Sequence, residues 1–258
     1  MRLILLLFCS VFFTLINVNA SENNKKAIYK DICWSSIPNV IHKRDPSNFK
    51  KLRNLGVKSK VIYWNDKEYD AFVFRGVYDK SHNIEIRVHT KFKTKARREA
   101  IKYAKMAGQI PNFLRRYMRV ITIFEDPKAG GWYARGNEII VMAQHFQDSC
   151  GQEVLMHEAA HNTLDYWSSS GQIRKSKWQK AAKADEFYIS NYAKEFPNRE
   201  DIAETIVPWI AVRCKSERIK KEDYKKITEG IPNRLKALDE SYLDDMRPMK
   251  CSDKRKKK

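Results

Sequence analysis

The chain has 258 residues, 43% of them hydrophobic, enough to bury the core of one large domain. Its net charge of +19 and terminal run Lys254–Lys258 attract anionic glycans, acidic proteins or anionic membranes through a field that salt screens. No nucleic-acid recognition motif is present, and nucleic acid is not an expected partner.

The chain opens with Arg2, an apolar run from Leu3 to Ile16, and Val18-Asn19-Ala20 before Ser21. A short apolar core with small residues at the cleavage positions predicts a signal peptide over 1–20 and an exported, extracellular protein. The run is short for a membrane span, and no other stretch approaches that length. Cys9 falls within the signal peptide. Cys33, Cys150, Cys214 and Cys251 remain, and export predicts two disulfides among them. Three connectivities are open; Cys150–Cys214 with Cys33–Cys251 is preferred. No C-x-x-C pair offers a cysteine metal site.

Residues 21–60 form a polar, basic extension, expected to wrap the core and able to serve as an inhibitory pro-segment. A single domain of two packed lobes follows over 61–250, then a basic tail over 251–258. Val61–Trp64, Ala71–Phe74, the alternating Ile84–His89, Val120–Phe124 and Glu138–Met142 predict strands. A helix is expected from Lys95 to Tyr117, interrupted near Pro111. A second runs from Gly151 to Trp167. Further helices are expected over Trp178–Phe187, with Tyr188–Tyr192 continuing it or starting a turn, over Arg199–Arg213 with a bend at Pro208, and from Lys221 to Leu238. Strands first and helices later give an α+β layout.

The second helix carries His157-Glu158-Ala159-Ala160-His161. Two histidines four apart share one helix face and can bind one metal ion. Glu158 is available as a base toward water on that metal. A catalytic zinc needs a third ligand and an open position. Downstream acids are Asp165, Asp185, Glu186, Glu200, Asp201 and Glu204. Glu200 and Glu204 share a face; one can bind metal while the other accepts an imidazole N–H. Asp165 lies one turn beyond His161, where it can orient an imidazole or stand in for Glu200. Asp201, beside Glu200, leaves the ligand open by one residue.

H-E-x-x-H followed by Glu200-Asp201-Ile202-Ala203-Glu204 resembles the gluzincin branch of zinc metallopeptidases, including the anthrax lethal factor protease domain. The segments are also similar to secreted proteins carrying H-E-A-A-H and R-E-D-x-A-E-[ST]. The resemblance spans Ile84 to Leu238. It implies a zincin-like fold with Glu138–Met142 as the edge strand that receives a peptide substrate. It implies one Zn2+ held by His157, His161 and Glu200, with Glu204 behind a histidine. Glu158 would be the general base, and Tyr192 would donate to the oxyanion. The competing expectation is a non-catalytic exported protein that keeps zinc structurally and binds anionic glycans or membranes. Oligomeric state is left open by the sequence.

Overall fold

The computed structural model describes residues 25–30, 40–79, 82–144, 150–164 and 175–251. The chain is α+β. Strand β1 (Lys26–Tyr29) precedes a long antiparallel hairpin of β2 (Phe49–Trp64) and β3 (Lys67–Tyr78). Asn65 and Asp66 turn it, both at positive φ (48° and 60°), as the type I′ turn of a two-residue hairpin requires. Strand β4 (Ile84–His89) pairs antiparallel with β3. Helix α1 (Ala96–Gln109) and the short α2 (Asn112–Arg115) then cross to β5 (Val120–Phe124), parallel to β4. Parallel neighbours need such a crossover, and Pro111 separates its two helices.

Strands β6 (Tyr133–Arg135) and β7 (Glu138–Met142) complete a six-stranded sheet of order β2-β3-β4-β5-β7-β6. β7 is therefore not the edge that the sequence predicted. It runs between β5 and β6, and Ile139 to Met142 are buried. The edge is β6, antiparallel to β7 and joined to it through Gly136, whose φ of 61° favours glycine.

Helix α3 (Gly151–Leu164) follows the sheet, then α4 (Lys175–Ala184), strand β8 (Phe187–Ser190) and α5 (Asn191–Glu195). Helices α6 (Asp201–Cys214), α7 (Lys221–Gly230) and α8 (Pro232–Tyr242) finish the lobe. Residues 188–190 are strand rather than helix because β1 pairs with β8, in parallel. The last expected helix is two, parted where Pro232 begins α8, since proline suits a first helical turn and not an interior.

Residues 21–60 supply β1 and most of β2, so the described parts of this segment pack into the main body. Tyr29 donates its hydroxyl to Asp223 at 3.0 Å. Arg218 grips both carboxylate oxygens of Asp45, each at 2.6 Å. Backbone packs so closely at Gly108 that a Cβ there would lie 2.7 Å from the Phe49 nitrogen.

Cys214 is bonded to Cys251, which overturns the preferred connectivity. Cys150 is also disulfide-bonded, and Cys33 lies outside the described residues. Sequence spacing could not choose among pairings, because the choice follows from where α6 ends relative to the C-terminal segment. The 214–251 bridge closes a 37-residue separation, worth roughly 3–4 kcal/mol in the chain-entropy account. The Cys214→Ser/Cys251→Ser protein is expected to lose about that much in urea unfolding; an unchanged midpoint would show the bridge to be energetically idle. Among the described residues, no helix is long and apolar enough to cross a membrane.

Candidate metal centre

Helix α3 is enclosed on nearly every face. Among its residues only Val154, His157 and His161 are partly exposed, all on one stripe. The helix is thus held as a core element, and its one accessible line presents the two imidazoles.

Across from that stripe lies the start of α6. Nε2 of His157 and Nε2 of His161 are 3.0 Å apart. Glu200 Oε2 is 3.0 Å from the second and 3.2 Å from the first. The three atoms form a nearly equilateral triangle. Ligands on a four-coordinate ion with bonds of ~2.0–2.1 Å stand roughly 3.3 Å apart, so the triangle is close to the size such an ion draws its ligands into. Nδ1 of His157 faces Glu204 Oε1 at 3.2 Å. In the neutral tautomer Nδ1 donates there and leaves the Nε2 lone pair directed at a carboxylate oxygen. A proton on each imidazole turns these contacts into hydrogen bonds to Glu200, and a metal ion would take the same three atoms as its ligands. Among the described residues this is the group of His, Cys, Asp and Glu side chains placed to hold a metal.

Burial alone would discharge the imidazole of His157, but its hydrogen bonds to Glu200 and Glu204 outweigh that, and its pKa stands well above the ordinary value. Glu200 is displaced the other way. Burial favours its neutral form, yet hydrogen bonds to His157 and His161 hold its carboxyl far below the usual range.

Glu204 is itself anchored. Ser190, the last residue of β8, donates its hydroxyl to Glu204 Oε2 at 2.5 Å and accepts from the Ala193 amide at 3.0 Å as the cap of α5. That chain fixes the ring orientation of His157. Glu204→Ala is expected to weaken metal binding by about 10- to 100-fold. Competition with a chelating dye measures this, and wild-type affinity would remove Glu204 from the centre.

Glu158 is 8% exposed. Burial raises its pKa, against the pull of His157 and His161; Glu200 adds to the rise, and a hydrogen bond from the Ala134 amide opposes it. The edge strand β6 therefore runs beside the carboxylate. Tyr192, 38% exposed, lies beside Arg199 and Glu200. Burial and the Glu200 charge raise its pKa, so the hydroxyl keeps its proton. Arg199 binds Glu200 Oε1 at 2.7 Å through Nε. The oxygen facing the histidines is thus Oε2 alone, while the guanidinium side chain stays 58% exposed beside the centre.

The neighbouring acid has a different task. Asp201 points away into a buried cluster, 2.9 Å from Arg234 Nε and 2.9 Å from Trp178 Nε1. Arg234 also meets Asp185 at 3.0 Å. All three charges lie at or below 1% side-chain exposure. This cluster ties the first turn of α6 to α4 and α8, and it fixes where Glu200 emerges. Of the sequence candidates, Glu200 and Glu204 reach the histidines, whereas Asp185 and Asp201 do not. Glu186 is exposed, and Asp165 lies outside the described residues. Sequence reasoning missed Arg199, Ser190 and the Ala134 amide. The signal for Arg199 was present, since it immediately precedes the ligand glutamate.

No protein-family model matches the chain, and no curated protein or solved structure is detectably similar to it.

Proposed function

We propose that the chain is an exported zinc-dependent endopeptidase of zincin type. The observation that carries this is the convergence of His157, His161 and Glu200 on one point, with the buried Glu158 carboxylate beside them. Two imidazoles and one carboxylate are a donor set for zinc, and three ligands leave a coordination position open for chemistry. When bound, zinc supplies Lewis-acid activation of water and of the scissile carbonyl.

The protein's own groups do the rest. Glu158 takes the proton of the attacking water and delivers it to the leaving amine. A raised carboxyl pKa suits a group that must both accept and return a proton. Tyr192, still protonated, donates to the developing oxyanion, a contribution of about 3 kcal/mol at comparable sites. Arg199 keeps Glu200 on one oxygen and adds positive charge where negative charge appears. The Ala134 amide steadies Glu158. The free edge of β6 can accept an extended peptide by backbone hydrogen bonds.

The test is digestion of a diverse peptide library by the mature chain, before and after chelation and again with zinc restored. Internal cleavage that disappears and returns with the metal is the expected result. Absence of cleavage by zinc-loaded protein would overturn the assignment and favour a structural metal.

A further inference from the structure

The +19 charge is not spread evenly. A six-residue 3₁₀ segment, Thr90–Lys95, leads into α1, and residues 91–105 hold Lys91, Lys93, Lys95, Arg97, Arg98, Lys102 and Lys105 against the single acid Glu99. The buried side of α1 is Ala96, Ala100, Tyr103, Ala104 and Ala107. At helical spacing this leaves Arg98, Lys102 and Lys105 on the opposite face, one above another over ~10 Å. The fold then extends the line. Gln109, the last residue of α1, binds the carbonyls of His42 and Asp45 at 2.9 and 3.0 Å, which brings exposed Lys43 and Arg44 to the helix end.

The nearby acids are already satisfied. Glu99 is bonded by Arg98 at 3.3 Å, and Asp45 by Arg218 at 2.6 Å. Among the described residues, Lys43, Arg44, Lys91, Lys93, Lys95, Arg97, Lys102 and Lys105 make no ion pair. The start of the ridge is set by a kink at Lys93, whose φ of 46° is strained for a side-chain-bearing residue.

We propose that this ridge, formed by residues 43–44 and 91–105, is a docking surface for a linear anionic polysaccharide. A line of cations longer than the ~21 Å of α1 matches a polymer of regularly spaced sulfates or carboxylates. A membrane fits less well, because interfacial helices insert apolar side chains. Among the described residues, the exposed large hydrophobics are Val57, Tyr63, Tyr133, Tyr192 and Phe196, none of them on the ridge. The same absence of exposed aromatics removes the stacking platforms that single-stranded nucleic acid uses. The proposal is independent of the metal centre.

The test uses the full mature chain and heparin as probe. Lys93→Glu/Arg98→Glu/Lys102→Glu/Lys105→Glu is compared with Lys221→Glu/Lys225→Glu/Lys226→Glu/Lys236→Glu, which has the same charge on another face. A Gln version of the ridge variant guards against repulsion or misfolding, with circular dichroism as the check. In the ridge variant, heparin affinity at low salt is expected to fall by ~100-fold or more, and the slope of log K against log salt by about 3, near 0.7–0.9 per lost contact. The reference variant is expected to change affinity by less than about threefold. Equal losses in both variants would show diffuse attraction and overturn the proposal. So would wild-type binding by a folded ridge variant. Tighter ridge-dependent binding of phosphatidylserine vesicles or oligothymidylate than of heparin would also overturn it.

Discussion

The Glu158→Gln protein is expected to match wild type in zinc content and to hydrolyse peptides about 10²- to 10⁴-fold more slowly. The amide has nearly the same shape and retains an oxygen for the Ala134 N–H, but it cannot take a proton from water. The fold should not suffer. Burial already disfavours the charged carboxylate at this position, so a neutral amide removes a desolvation cost. The melting temperature is therefore expected to equal or exceed that of wild type. Metal content by elemental analysis, thermal unfolding and kcat/KM on one cleaved peptide together isolate the lost step. Wild-type turnover by the zinc-loaded variant would refute the role given to Glu158.

The largest stability effect is expected at Arg234. Its guanidinium lies fully buried between Asp185 and Asp201. Arg234→Met removes the cation and leaves two carboxylates facing each other in the interior. Breaking a buried pair in this way costs about 3–5 kcal/mol. For a chain of this size that corresponds to a drop of roughly 6–20 °C in melting temperature. Metal affinity should fall with it, because the cluster anchors the turn from which Glu200 projects. The triple variant Arg234→Met/Asp185→Asn/Asp201→Asn is expected to recover part of the lost stability, since an interior without charges needs no counterion. A single variant that melts within ~1 °C of wild type would show that the cluster does not hold α6 in place.

The two elements that bring His157, His161 and Glu200 together were readable for different reasons. Helix α3 combines a long apolar, helix-forming run with histidines at i and i+4, and a run of that length and composition reads as a buried helix even without a polar face. Glu200 and Glu204 stood out because four-residue spacing puts both on the side of α6 that meets α3. What escaped was decided by partners far away in sequence. Tyr188 and Ile189 favour strand, but so short a run does not separate strand from turn until β1 lies beside it. The three-residue β6 is too short to show alternation, so the edge was assigned one strand too far in. Asp185, Asp201 and Arg234 resemble ordinary surface charges until the fold encloses them together. Arg199 was visible, but its bond to the outer oxygen of Glu200 is a fact of side-chain geometry that no spacing encodes.

The pairing of β1 with β8 has a kinetic consequence. Ser190, at the end of β8, holds Glu204 and through it His157, so the orientation of a metal-binding ring depends on a strand that β1 supports. β1 is made early in synthesis, and its partner far later; Tyr29 reaches an acceptor 194 residues on. Contacts of such long range close late in folding, because their loop entropy is repaid only once the intervening structure exists. The H-E-x-x-H helix is therefore expected to form before the surroundings of that helix are finished, and the meeting of His157, His161 and Glu200 to be among the last steps of folding.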